Sequence, residues 1–302
     1  MTVIAFASIK GSPGVTTAAT AIAASWPTGR RVLLVEADPF GGDLAPRHGV
    51  SVTGGLASLF AAARRTLTPD AVWDHVHQLP GGLPVLFGLT NVHQAVANEK
   101  AWPGIAKALC DLDADVVVDA GRLLPQFAGG IRDVLERTDA LVVLCEPTLE
   151  AIVHLRDALP GLFAEMHSRR LLVIPAGSVG YSREEIGKTL QVEVGPPMPD
   201  DPNAAAALAN KRNMKKLERS RLLKWAATVV KALGIEELGI EEPCTDESDI
   251  GEPTPVESSV SEVDTELLTE QVPEDIDTPT LSCDATVGAE PVGAGSNWEA
   301  TR

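Results

Sequence analysis

The feature that most constrains this chain is a rhythm of short apolar runs. TVIAFAS (2–8), RVLLVEA (31–37), ADVVVDAG (114–121), DALVVLCEP (139–147) and RLLVIPAG (170–177) each have the length of a strand, and LPVLFGL (83–89) is a further candidate. None alternates apolar with polar residues. Such runs suit strands buried on both faces. Between them lie segments of helical composition: 16–26, 68–79, 93–112, 124–138, 148–167, 182–190 and two helices over 203–234. Pro160 is expected to kink or break the fifth of these, and Ser182 with Glu185 forms a capping box at the start of the sixth. Stretches 39–49 and 194–202 read as loop. Strands separated by helices imply an α/β fold, a mostly parallel doubly wound sheet with helices on both faces. No internal repeat is visible.

Charge divides the 302 residues in two. The formal charge is −17, yet residues 236–302 alone hold 19 Asp and Glu against one Arg. Residues 1–235 hold 23 acidic and 24 basic residues, so the overall charge does not exclude a nucleic-acid partner for the body. The tail is rich in Glu, Asp, Pro, Ser and Thr, with Trp298 its one aromatic residue. It has too little apolar surface to offset its ordering entropy, so the reading is a globular domain over 1–235 and a disordered acidic tail over 236–302. Cys110, Cys145, Cys244 and Cys283 show no paired spacing. Together with the absence of a signal-like N-terminus or a spanning apolar run, they point to a cytoplasmic protein with no stable membrane insertion.

The first run ends in KGSPGVTT (10–17), which leads into the first helical segment. Gly11 and Gly14 let the backbone turn its N–H groups inward, and the helix adds its positive end. Together these make an anion site from backbone alone. Thr16 is placed to hold Mg²⁺ and Thr17 to donate to a phosphate. A glycine-rich turn by itself is as often only structural. Two other segments add weight: Glu36 and Asp38 fall at the carboxyl end of the second run, and Asp119 at that of another. Ligands of open α/β sheets bind at those ends.

The order K-G-x-x-G-x-T-T, V-L-L-V-E-A-D-P and V-V-V-D resembles the ParA/MinD family of deviant Walker (P-loop) ATPases over residues 1–235. The resemblance implies a P-loop NTPase-like fold with ATP and Mg²⁺ as cofactors. It implies a homodimer that partitions DNA or positions other cargo, and an activating partner protein for which the acidic tail is a candidate dock. Lys10, Gly11, Ser12, Pro13, Gly14, Val15, Thr16 and Thr17 would form the nucleotide loop, with Lys10 reaching the partner subunit's phosphates. Asp38 would help position the attacking water. Thr16, Asp38 and Asp119 would serve the metal. DALVVLCEPTLEAI is similar to the family's strand ending at a Pro step, and MPDDPNAAAALANKR to its stretch near the base, which makes Pro199 and Asp200 candidate base contacts.

Three positions depart from the family's pattern. Val15 replaces the lysine that contacts the β- and γ-phosphates, Glu36 replaces the first Asp of D-x-D, and RLLVIPAG lacks an Asn that reads adenine. Losing the lysine removes a charge-assisted contact worth roughly 1.5–3 kcal/mol and neutralising charge in phosphoryl transfer. Nucleotide binding with weak hydrolysis is the resulting expectation. The rival is a non-enzymatic pseudo-ATPase acting in assembly or polar localisation of a pilus or secretion system.

NKRNMKKLERSRLLK (210–224) places Lys211, Arg212, Lys215, Lys216, Arg219, Arg221 and Lys224 beside a single acid, Glu218. This is a candidate surface for nonspecific DNA, driven by counterion release, or simply a solvated helix face. LLKWAATVVKALGI (222–235) is amphipathic and reads as a helix packed on the sheet. His75 and His77 read as ordinary helix residues, and DLDAD (111–115) as an ordinary acidic loop.

Overall fold

The computed structural model describes residues 1–235 except 12, 52–53, 65–66, 124–128, 166–169 and 211–215. The tail, with its expected disorder and with Cys244 and Cys283, lies outside the described residues. The strands are β1 (Val3–Ser8), β2 (Val32–Glu36), β3 (His77–Gln78), β4 (Pro84–Leu86), β5 (Asp115–Arg122), β6 (Ala140–Cys145), β7 (Leu171–Pro175) and β8 (Glu193–Val194). The helices are α1 (Val15–Ala24), α2 (Leu44–His48), α3 (Leu56–Ala63), α4 (Val92–Ala97), α5 (Trp102–Cys110), α6 (Gly129–Leu135), α7 (Leu149–Glu165), α8 (Arg183–Leu190), α9 (Pro202–Leu208) and α10 (Arg221–Ala232).

The strands form one sheet in the order β3-β4-β2-β5-β1-β6-β7-β8. Every pairing is parallel except β3 with β4. Residue parity then sorts the core into two layers. Val3, Ala5, Leu33, Val35, Val116, Val118, Leu141 and Val143 pack with α3, α5, α6, α7 and α8. Ile4, Phe6, Leu34, Val117, Val142, Leu144 and Ile174 pack with α1, α2, α9 and α10. Each fully buried large side chain contributes roughly 1.5–3 kcal/mol. The expected doubly wound sheet is the one observed.

Two features fix what reaches the carboxyl edge of the sheet. First, α1 is mostly alanine, with Ala18, Ala19 and Ala21 fully buried, so its backbone lies close to the central strands. Second, the strand order reverses about β1: the chain builds outward through β2 and β4, returns to β5, then crosses to β6 on the other side. The loop after β1 therefore faces the carboxyl ends of β5, β2 and β6 together.

At the opposite edge, Asp115 is 3% exposed. It accepts from Thr2 N at 2.7 Å, Trp26 Nε1 at 2.8 Å and Arg30 Nε and Nη2 at 2.6 Å each. Arg30 also donates to the Ile235 carbonyl. This acid is a buried structural anchor rather than part of an ordinary loop.

Several other local expectations are corrected. Stretch 39–49 contains α2, and α3 had no counterpart in the sequence reading. Segment 68–79 is a 3₁₀ turn over Asp70–His75 followed by β3, so His77 lies in a strand and His75 in the turn, where its Nδ1 is 2.7 Å from Ser58 Oγ. α7 runs unbroken through Pro160. Pro160 and Arg156 are both exposed, so water can satisfy the Arg156 carbonyl that the proline leaves without a donor. The capping box on α8 is present. α10 buries Leu222, Leu223, Trp225, Ala226, Val229 and Val230, which is the packed-helix reading. No described helix is long and apolar enough to cross a membrane.

Candidate functional site

β1 is buried throughout and ends at Ser8, and α1 opens at Val15, directly after Gly14. Gly11 has φ +77° and Gly14 φ +91°, left-handed values that a side chain strains. Gly14 is the N-cap of α1, no side chain caps the helix, and its first turn carries no acid. The Ala18 N–H is the one that closes onto the Gly14 carbonyl, at 2.8 Å. By helix geometry the N–H groups before it have no partner within the helix. This cradle geometry, with the helix dipole behind it, suits an anion. Lys10 is exposed, Pro13, Thr16 and Thr17 are half-buried, and Ser12 lies outside the described residues. Val15 is 6% exposed and belongs to the apolar core beneath α1. The lysine position is thus occupied by a core residue, and the loop has no cation there.

Three carboxylates cluster at the carboxyl ends of β2 and β5, beside the loop. Glu36 and Asp119 are opposite each other in the β2–β5 register, each 1% exposed, on the α1 face of the sheet. Asp119 Oδ1 accepts the Gly121 N–H at 3.0 Å, whereas its buried Oδ2 has no hydrogen-bond partner. Burial pushes Asp119 up to about 6. The Thr16 hydroxyl is near enough to pull the other way, though outside hydrogen-bonding geometry, and Asp38 repels it further. Asp38 is also pushed up to about 6, chiefly by burial, then by the charges of Glu36 and Asp43, against the Phe40 N–H that donates to it at 2.8 Å. Gly121 makes room for it: a Cβ there would sit 2.0 Å from Asp38 Oδ2. So the structure brings together Gly14, Thr16, Asp38 and Asp119, which the sequence had placed in three separate segments.

Glu36 has a different task. Its Oε1 accepts from Asp43 N at 2.6 Å and Leu44 N at 2.8 Å, and its Oε2 from Gly88 N at 2.9 Å. It caps α2 from a neighbouring strand and ties down the exit of β4. Burial raises it to about 7, against those backbone hydrogen bonds, and Asp119 adds repulsion. A Cβ on Gly42 would lie 2.3 Å from Glu36 Oε2, so the glycine admits the longer acid.

Among the described residues none of the three acids has an ion-pair partner. No three His, Cys, Asp or Glu side chains among them converge as a protein-only metal cage. An unpartnered buried carboxylate oxygen beside a threonine hydroxyl and an anion cradle suits Mg²⁺, which keeps water and phosphate among its ligands. Thr16 and Asp119, with Asp38, would hold it, and it would neutralise charge on a bound polyphosphate.

Two further residues approach the loop, and spacing gave no signal for either. The Met198 methyl lies 3.5 Å from where a Cβ on Gly14 would be, and the Met198 N–H donates to the Pro175 carbonyl at 2.8 Å. Glu146 Oε1 lies 3.6 Å from the corresponding point on Gly11. Pro199 and Asp200 follow Met198. Pro199 is half-buried and Asp200 exposed, with its carbonyl accepting from Arg221 Nη2 at 2.6 Å. Of the basic run, Lys216, Arg219, Arg221 and Lys224 are exposed, and Lys211, Arg212 and Lys215 lie outside the described residues.

A glycine loop after a central strand, an uncapped helix behind it and an acid on the adjacent strand define a P-loop NTPase-like α/β fold. No family model and no curated protein matches the sequence. Solved structures do match. A ParA family ATPase from Chlorobium tepidum TLS is 21% identical with a TM-score of 0.59, covering 75% of this chain and 97% of that one. The cell division ATPase MinD of Pyrococcus furiosus is 18% identical with a TM-score of 0.61, covering 78% and 99%. The septum site-determining protein MinD from Pyrococcus horikoshii OT3, complexed with Mg-ADP, is 18% identical with a TM-score of 0.58, covering 78% and 98%. The chain has a ParA/MinD-like fold.

Proposed function

We propose that this chain is a Mg²⁺-nucleotide switch, with ATP as its nucleotide, that acts as a homodimer to partition DNA or position other cargo and hydrolyses slowly. The observation that carries the reading is the unpartnered Oδ2 of buried Asp119 beside Thr16, at the mouth of the Gly11–Gly14 cradle. In this reading the loop N–H groups orient the phosphates, and Thr16, Asp119 and Asp38 hold the metal. Asp38 also positions the attacking water, Lys10 serves the partner subunit's phosphates, and Pro199 and Asp200 border the base. Slow turnover follows from Val15, which leaves the loop without its neutralising cation. An activating partner protein and nonspecific DNA, the latter through the run from Lys211 to Lys224, complete it. The exposure of Lys216, Arg219, Arg221 and Lys224 supports the DNA arm.

The test is calorimetric titration of ATP and ADP with Mg²⁺ into the full chain, beside a Val15→Lys variant whose folding is checked by circular dichroism. Binding by the natural chain, with slow phosphate release that Val15→Lys accelerates, is the expected result. Binding without hydrolysis in either protein would favour the second reading, a pseudo-ATPase for assembly or localisation, which the burial of Val15 in the core supports. No binding by either folded protein ends the nucleotide reading.

A further inference from the structure

We propose that Glu146 sets the anion affinity of the glycine loop: its carboxylate opposes an incoming polyphosphate, so that phosphate binding depends on a cation arriving with it. The proposal rests on the nucleotide reading of the loop and adds a residue to it.

The backbone at Glu146 is held on both sides. Pro147 restricts the residue before it to extended conformations. The Cys145 carbonyl accepts the Ala176 N–H at 2.8 Å, and the Pro147 carbonyl accepts the Tyr181 N–H at 2.9 Å. Gly180 lets the second strap close, since a Cβ there would lie 2.1 Å from the Pro147 oxygen. The exit of β6 is therefore pinned to the loop after β7, and the Glu146 side chain departs from a fixed point. Its Oε1 and Cδ lie 3.6 and 3.9 Å from where a Cβ on Gly11 would stand. A negative charge thus sits at the mouth of a backbone anion cradle.

Two cations stand beside the loop, Lys10 and Arg122, whose Nε donates to the Ile9 carbonyl at 3.3 Å, but neither is paired with Glu146. Among the described residues Glu146 has no ion-pair partner, and neither has Lys10. The residue that opens α1 is Val15, packed into the core. Around the same cradle stand Asp38 and Asp119. The cradle attracts an anion through its N–H groups and helix dipole, while the carboxylates around it repel one. Glu146 is the exposed member of that group, and among the described residues its carboxylate makes no hydrogen bond, so its charge is removable without disturbing the fold.

Inorganic tripolyphosphate is the probe, because it tests the loop apart from any base contact. It is titrated by calorimetry into the full chain as wild type, Glu146→Gln and Glu146→Lys, with and without Mg²⁺, at low and high salt. Without Mg²⁺ at low salt, Glu146→Gln should bind about three- to tenfold tighter than wild type and Glu146→Lys tighter still. The gain should shrink as salt screens the charge and when Mg²⁺ is present. Wild type binding with Glu146→Gln no tighter would overturn this proposal and leave the nucleotide reading standing. No tripolyphosphate or ATP bound by any folded protein, including Glu146→Lys, would overturn both.

Discussion

Replacing Asp119 by Asn should stabilise the ligand-free protein while disabling its site. The wild-type carboxyl is 1% exposed and is pushed from 3.8 up to about 6 by burial. A folded state that holds a proton which the unfolded state releases loses stability as pH rises through that window, here from about 4 to about 6. Above it, the ionised carboxylate costs the folded protein about 3 kcal/mol relative to the unfolded chain. Asparagine cannot ionise, and its oxygen still accepts the Gly121 N–H. At pH 8, without Mg²⁺ or nucleotide, Asp119→Asn should therefore gain about 2–3 kcal/mol, or roughly 4–12 °C in melting temperature for a domain of this size. Near pH 4 the difference should fall to about 0.5 kcal/mol, because the wild-type folded carboxyl is then protonated. The assay is thermal unfolding by circular dichroism across that pH range. A repeat with saturating Mg-ATP should narrow or reverse the order, since ligand binding stabilises only a protein that binds. Equal or lower melting of Asp119→Asn at pH 8 without ligand would refute the argument that this acid is held ionised against burial.

Other perturbations follow from the same geometry. Asp115→Ala should destabilise the fold by about 3–5 kcal/mol, because it strands the Arg30 guanidinium, which is 19% exposed, without its bidentate partner; a denaturant midpoint within error of wild type would contradict this. Gly121→Ala puts a methyl about where the Asp38 carboxylate now sits at a backbone with φ +58°. It should abolish detectable Mg²⁺-nucleotide binding in calorimetry, with far-ultraviolet circular dichroism unchanged. The double variant Arg219→Glu, Lys224→Glu should weaken DNA binding about equally across sequences and lower the log–log salt slope by roughly 2; an unchanged slope in fluorescence anisotropy would remove these residues from a DNA surface.

The sheet was legible in the sequence because its central strands are buried on both faces, which leaves uninterrupted apolar runs rich in Val, Leu and Ile. The edges were not. β3 is two residues long, and its pairing with β4 comes from a hairpin at the rim rather than from any period within it. α2 has five residues, too few for a helical pattern, and its first N–H groups are satisfied by Glu36, a residue on another element. Asp115 looked like one acid in an acidic loop, because the Arg30, Trp26 and Thr2 that surround it lie 85 to 113 positions away.

The site divides along the same line. Gly11, Gly14, Thr16 and Asp119 could be named as candidates because each keeps its chemistry within a short segment: a turn that needs glycine, a hydroxyl one step into a helix, an acid at the end of an apolar run. Glu146 and Met198 gave no such signal. They reach the loop only because the strand order sets β6 beside β1 and bridges Ala176 to Met198. The meaning of Val15 was half legible. The sequence showed a lysine missing, and the fold shows what stands there instead, a side chain that contributes to the core under α1. With that position turned inward, the described surroundings of the cradle include Asp38, Asp119 and Glu146 against Lys10 and Arg122. On the reading proposed above, such a cradle would take much of its counter-charge from outside the protein, and a divalent cation would be the component on which the rest of the site depends.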